Sequence, residues 1–265
     1  MKTYLTALTT DSYLPGVLAL HKSLLKTKPK YGFRVLVTEN VSGACLSKLK
    51  RHRIDVMKIK RLPSMREKAS ESENRKRNNF SKILMFQLTE FEKIVYLDSD
   101  MMVMRNIDHL FHKPHMSAVP AGSLYPRYRH WTELNSGLLI VKPEKGLTEA
   151  IMAHLPKKVH HNYGDQKLLI AHYPQWSPKN PRLHLDHKYN MIIGTIDFHI
   201  RKHGYNVNYH SPDRRTVAVV HFIGPKPWLQ TRKEQTDTIR SYRRKDKHSD
   251  ADMLAKYQEL LRSFR

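Results

Sequence analysis

At 265 residues, with 40% apolar and 27% charged side chains, the chain can bury one substantial core and has the balance of a globular protein. No apolar run approaches the length of a bilayer span. The single cysteine, Cys45, excludes an internal disulfide framework and a cysteine-rich zinc centre, which fits a reducing, cytoplasmic setting. A formal net charge of +23 attracts anions of many kinds, from nucleotides to acidic lipid surfaces, without choosing among them. The charge is spread along the chain, and no module interleaves basic with aromatic residues. No specific nucleic-acid partner is expected.

From the N-terminus, Lys2–Leu8 reads directly as a strand rather than as a leader. A polar stretch, Thr9-Thr10-Asp11-Ser12, follows. Val17, Leu20, Leu24 and Leu25 then form the apolar stripe of a helix from about Leu14 to Lys26. Phe33–Thr38 is a second strand, Ser42–His52 a helix and Ile54–Ile59 a third strand. Such alternation predicts an α/β fold with a mostly parallel, Rossmann-like central sheet flanked by helices. The charged stretch from Pro63 to Asn79 interrupts the pattern and reads as a loop, either an inert surface segment or a lid over a ligand. Phe80, Ile83, Leu84 and Leu88 recur at helical spacing and lead into a strand at Ile94. Gly137–Val141 and Val217–Phe222 are further buried strands. The expected organisation is one domain over residues 1–229 and a basic, partly helical tail over 230–265, with a helical pattern from about Met253 to Leu261.

The run Ile94-Val95-Tyr96-Leu97-Asp98-Ser99-Asp100 carries the most chemistry. Residues i and i+2 of an extended chain share a side, so Asp98 and Asp100 can converge at the C-terminal edge of the sheet, where α/β proteins bind ligands. Two such carboxylates repel unless a divalent cation or an ordinary solvated turn relieves them. His221, arriving from a distant strand, can complete a cation site that two carboxylates have begun. Gly224 allows close backbone approach to a phosphate, and Lys226 supplies charge for it. Leu8, Thr9, Thr10 and Tyr13 lie where a strand meets a helix, a place for phosphate and a base, or simply for helix caps. Asn135-Ser136-Gly137 reads equally as a ligand-facing turn or a capped one. Asp165, in Gly164-Asp165-Gln166, reads equally as an N-cap. His109, His112 and His115 have ligand-like spacing, but Pro114 breaks any helix and the cluster is incidental.

Together, LTTDSY at 8–13, FSKILMFQLTEFEKIVYLDSD at 80–100, NIDHLF at 106–111, NSGLLIVKP at 135–143, GDQ at 164–166 and HFIGPKPW at 221–228 resemble glycosyltransferase family 8. This is the family of retaining, glycogenin-like enzymes of the GT-A fold, and the segments follow its order and spacing. The resemblance implies a UDP-sugar donor, with Leu8, Thr9, Thr10 and Tyr13 at uracil and ribose. It places Mn²⁺ (or Mg²⁺) on Asp98, Asp100 and His221. It also puts Gly224 and Lys226 at the pyrophosphate, Lys82 near the donor, and Asn135, Ser136, Asp165 and Gln166 around the transferred sugar. Lys226 and the cation would stabilise charge growing on the leaving phosphate. The amide of Gln166 is a poor nucleophile, which favours front-side transfer, with Asp165 orienting sugar hydroxyls.

The chain also departs from that family. Met191–Asp197, beyond Tyr189-Asn190, holds no tyrosine to serve as a self-glucosylation site. Asn162 stands where an acidic residue is common, leaving glucose or galactose as the expected hexose. A separate glycan or protein acceptor is therefore expected. The basic tail raises an alternative, a peripheral enzyme extending a lipid-linked oligosaccharide on an anionic membrane, each Lys or Arg contributing about 1 kcal/mol. An alternative of another class is a basic nucleic-acid-binding protein without transferase activity.

Overall fold

Alternating apolar strands and amphipathic helices build two sheets in the computed structural model, which describes residues 1–60, 78–122, 124–156, 163–176 and 180–264. Strands β1 (Lys2–Leu8), β2 (Phe33–Val37), β3 (Asp55–Lys58) and β4 (Lys93–Leu97) run parallel. Antiparallel β7 (Leu134–Val141) pairs with β4 and with the short β6 (Ala118–Pro120), giving the order β3-β2-β1-β4-β7-β6. A second, three-stranded sheet joins β5 (Met101–Val103), β9 (Val219–His221) and β8 (Met191–Ile192). The candidate lid falls almost wholly on residues outside those described, as does Asn162.

The central strands are mostly apolar because both faces are covered. Tyr4, Leu8, Val95 and Leu97 pack on one face beneath α1 (Leu14–Lys26) and α2 (Gly43–Arg51). Leu5, Ile94 and Tyr96 occupy the other, beneath Phe80, Ile83 and Phe86 and beneath Leu168 and Leu169 of α4 (Asp165–His172), which follows α3 (Leu147–Met152). The period-2 alternation of β4 thus sets Asp98, two residues past Tyr96, on the second face.

The expected helix near Phe80 is a correction. Residues Asn78–Gln87 wind as a 3-10 helix. Every residue from Phe80 to Phe86 is buried, so there is no solvent stripe for an amphipathic α-helix. Thr148 reaches in to donate to the Ile83 carbonyl at 3.1 Å.

Toward the C-terminus, α5 (Ile196–His203) is followed by α6 (Arg232–Arg244) and α7 (His248–Arg262). α6 begins with a capping box between Thr231 and Glu234 and buries no residue. α7 buries Met253, Leu254, Tyr257, Leu260 and Leu261 beside Phe222 and Trp228. The rings of Phe222 and Tyr257 stack at 3.9 Å. The starts of α5 and α7 cap each other. Asp250 accepts from the N–H groups of Gly194 (2.6 Å) and Ile196 (3.1 Å), and Asp197 accepts from those of Ser249 (3.1 Å) and Asp250 (2.9 Å).

Candidate active site

Just past the end of β4, the Asp98 N–H donates to the Gly137 carbonyl at 2.8 Å, and the Met101 N–H closes the turn onto the Asp98 carbonyl at 3.2 Å. Asp100 therefore immediately precedes β5. Cross-strand pairing of Met101 with His221 brings the imidazole from the end of β9. One ligand atom from each of Asp98, Asp100 and His221 lies within 4.8 Å of the others. Two carboxylate oxygens and an imidazole nitrogen form a donor set that fits a divalent ion such as Mn²⁺ or Mg²⁺.

Each carboxylate already has a lysine. Lys226 Nζ donates to Asp100 Oδ2 at 2.5 Å and to the Phe222 carbonyl at 3.3 Å. Lys82 Nζ lies 2.8 Å from Asp98 Oδ1 and 2.9 Å from Asp165 Oδ2, and donates to the Ser136 carbonyl at 3.2 Å. The hydroxyl of Tyr96 donates to the same Asp98 oxygen at 3.0 Å.

The two aspartates differ electrostatically. Burial disfavours ionisation of Asp100, yet the charge and hydrogen bonds of His221 and Lys226 hold its carboxyl well below the usual range. Burial raises Asp98, and nearby Asp100 adds to this against the pull of Lys82. Lys82 is itself buried, but the Asp165 and Asp98 carboxylates overcome desolvation and push its ammonium well above its ordinary value.

His221 is oriented by a relay. The Gly137 N–H donates to Asn135 Oδ1 at 2.8 Å, and Asn190 Nδ2 donates to the same oxygen at 2.7 Å. Asn190 Oδ1 is then left to accept from His221 Nδ1, 2.8 Å away. Nε2 faces the acidic pair, 3.2 Å from Asp100 Oδ1. Gly137 is required here, since a Cβ would stand 2.7 Å from His221 Cε1 and 2.8 Å from Met101 Cε.

Asp165 is not a cap. Although it opens α4, its carboxylate accepts from Ser136 Oγ at 2.5 Å and faces Lys82. Ser136 N–H donates to Gln166 Oε1 at 3.3 Å. On the opposite wall, Tyr13 packs edge-on against Trp228 at 5.5 Å, and the Trp228 indole donates to the Ser12 carbonyl at 2.8 Å. Gly16 lets α1 approach both the acidic turn and that indole, because a Cβ would meet the Ser99 carbonyl oxygen at 2.6 Å and Trp228 at 2.7 Å. Gly224 has φ +85° and open space around it.

Thr9 and Thr10 sit at the head of β1, and the Thr10 hydroxyl is 2.9 Å from that of Ser12 rather than capping the next turn. Leu8 differs from expectation: its side chain is fully buried in the core beneath α1, leaving only its backbone for a ligand. Asn190 and Tyr96 are the residues the sequence reading did not assign. Tyr96 shares a strand face with Asp98 and is legible by period, whereas nothing in the sequence signals Asn190 as the partner of His221. His109 and His115 lie apart from the centre, bonded to Tyr189 and Tyr173.

Comparisons with known proteins come to the same segments. The family profile of glycosyl transferase family 8 matches residues 5–232. UDP-glucuronate:xylan alpha-glucuronosyltransferase 2 of Arabidopsis thaliana is 29% identical over 227 residues, covering 85% of this chain and 35% of the relative. Glycogenin of Neurospora crassa is 28% identical over 239 residues, covering 88% and 32%. The chain thus spans about a third of the length of these two relatives. Among solved structures, galactosyltransferase LgtC in complex with donor and acceptor sugar analogs superposes with a TM-score of 0.64 at 16% identity, over 98% of this chain and 95% of that one.

Proposed function

The chain belongs to glycosyltransferase family 8 and has the GT-A fold, and from that premise we propose that it transfers a hexose, glucose or galactose, from a UDP-sugar to a separate glycan or protein acceptor. Transfer proceeds with retention of configuration. The observation that carries this reading is the convergence of Asp98, Asp100 and His221 within 4.8 Å, with Lys226 on the same carboxylate. A UDP-linked donor is supported by a relative whose name specifies UDP-glucuronate.

Asp98, Asp100 and His221 would hold Mn²⁺ or Mg²⁺, which supplies a Lewis acid at the donor diphosphate. The chain's own groups do the rest. Lys226 and the open backbone at Gly224 face the diphosphate, where the ammonium stabilises charge that grows as the glycosidic bond breaks. Leu8, through its backbone, and Thr9, Thr10 and Tyr13 hold the nucleoside. Lys82 fixes Asp98 and Asp165 in one rigid group. Asp165, Asn135 and Ser136 surround the sugar, and Asp165 orients its hydroxyls. Gln166, whose Oε1 is engaged by Ser136, keeps its amide nitrogen to donate to the sugar. A neutral amide is a weak nucleophile, which favours attack from the side of the departing phosphate, with that phosphate accepting the acceptor's proton.

Incubation with Mn²⁺ and a panel of UDP-glucose, UDP-galactose, UDP-glucuronate and GDP-mannose, reading free nucleotide, tests the proposal. Metal-dependent release of UDP from at least one UDP-sugar, and none from GDP-mannose, is expected. No release from any UDP-sugar with Mn²⁺ or Mg²⁺ overturns it.

A second reading, peripheral contact with an anionic membrane, is favoured by one feature. Arg232, Lys233, Arg240, Arg243 and Arg244 are exposed on α6, which follows the Lys226 loop and its exposed Ile223 and Leu229. This would serve extension of a lipid-linked oligosaccharide. Co-sedimentation with phosphatidylserine vesicles, lost in Lys233→Glu/Arg240→Glu, supports it; equal sedimentation of both forms ends it. No helix among the described residues is long and apolar enough to cross a membrane.

A further inference from the structure

A second cleft, of about 500 Å³, lies at the other end of α1. That volume is in the range of sites that enclose a small molecule. α1 rises about 1.5 Å per residue, so Lys22 sits about 12 Å along its axis from Leu14. The cleft shares no residue with the acidic centre.

Its lining is unusual in charge. Lys22 and Lys26 come from the last turns of α1, Arg105 from just beyond β5 and Lys256 from α7, against the single carboxylate of Glu259. Among the described residues none of the four cations pairs with a carboxylate. Lys22 donates to Ser263 Oγ at 2.7 Å and Arg105 to the Asp213 carbonyl at 3.0 Å, while Lys256 lies 3.9 Å over the ring of Tyr209. Nearly fully buried Met102, Val103 and Leu260 supply an apolar floor. Four like charges gathered over a low-dielectric surface repel one another, and an anion seated among them removes that cost. An apolar body on the same ligand gains further by covering the floor.

We propose that this cleft is a ligand site for an organic phosphate monoester with an apolar body. Phosphate suits the lining better than a single-charge anion. Its dianionic head has three oxygens to accept charge-assisted bonds from several of the surrounding cations at once. Tyr209, 43% exposed beside Lys256, offers a ring edge to the apolar part. The site stands independently of the donor-binding reading.

Titration calorimetry on the full chain decides the matter, using dodecyl phosphate below its micellar concentration, with and without UDP and Mn²⁺. One site per chain is expected, unaffected by UDP, with dodecyl phosphate bound about tenfold or more tighter than inorganic phosphate. Lys26→Glu/Lys256→Glu should lose about tenfold or more in affinity, because two charge contacts are lost. The charge-matched Lys142→Glu/Lys145→Glu, at two exposed lysines beyond β7, should stay within about twofold. If the cleft variant fails to fold, Lys26→Gln/Lys256→Gln against Lys142→Gln/Lys145→Gln gives the same comparison. Equal losses in both variants, equal affinity for the two phosphates, competition by UDP, or no saturable binding each overturns the proposal.

Discussion

The amide oxygen of Asn190 accepts a hydrogen bond from Nδ1 of His221 at 2.8 Å, and the direction of that bond is set by the backbone N–H of Gly137 acting through Asn135. A backbone N–H can only donate, so each amide in the chain has one consistent orientation. The result is an imidazole whose Nδ1 is fixed as a donor and whose Nε2 faces Asp98 and Asp100. Partners of this kind hold a ligand ring in its tautomer and position.

Asn190→Ala should weaken Mn²⁺ binding by about 10–100-fold, measured by calorimetry or by the loss of free Mn²⁺ signal in electron paramagnetic resonance. Turnover at saturating Mn²⁺ should largely recover. An unchanged metal affinity would show that packing alone holds His221.

Asp98→Asn and Asp100→Asn should each reduce metal-dependent release of UDP by roughly a hundredfold or more, with circular dichroism unchanged. The parent should gain about 2.7 kcal/mol of stability at a metal–nucleotide concentration of about 100 Kd, and the variants almost none. Comparing thermal unfolding with and without Mn²⁺ and UDP reads this directly. Equal stabilisation of parent and variants contradicts the ligand assignment.

Much of this centre is legible in the sequence, for definable reasons. Asp98 and Asp100 follow a strand that is apolar on both faces, which marks the sheet edge where they lie; a turn closed by the Met101 N–H, rather than the extended chain expected, brings them together. His221 ends another such strand. The two- and three-residue strands β5, β6 and β8 carry no periodicity, because so few residues cannot display one. Asn190 belongs to no pattern at all; its role exists only because β8 lies beside β9. A charge-based reading of the C-terminus passes over Thr231-Arg232-Lys233-Glu234, whose spacing is that of a capping box, whereas the helical pattern from about Met253 to Leu261 falls on the apolar face of α7. The residues near Lys82 mislead in another way: buried on all sides, they match a helical period while coiling more tightly.

Lys82→Met should destabilise the fold by about 3 kcal/mol, because it leaves Asp98 and Asp165 as partly buried carboxylates without their shared cation. Chemical denaturation measures the loss. Mn²⁺ should restore part of it by engaging Asp98. A change under about 1 kcal/mol would mean that water reaches the pair and the ammonium is dispensable.

His115 predicts a pH dependence remote from the centre. Its Nδ1 accepts from the Lys142 N–H at 3.0 Å, and its Nε2 is 3.0 Å from the Tyr173 hydroxyl. Protonation at Nδ1 therefore breaks a backbone bond. Burial pulls its pKa down to about 4, despite the Glu144 carboxylate nearby. The unfolded chain thus takes up this proton first as pH falls from about 6.5, and stability present above that pH is lost toward pH 4. His115→Gln should cost most near neutrality, with the gap to the parent shrinking by on the order of 1–2 kcal/mol by pH 4.5. A gap that is constant with pH would refute the prediction.

The ligand set is divided between two mechanical bodies. Asp98 hangs from the end of the six-stranded sheet, whereas Asp100 immediately precedes β5 and His221 closes β9 in the three-stranded one. An ion gripped by all three would act as a rivet through that seam, resisting shear between the two layers. Loading the centre should therefore slow amide hydrogen exchange along β5 and β9, well beyond the residues that touch the ion, so that catalytic readiness and stiffness of the joint rise together.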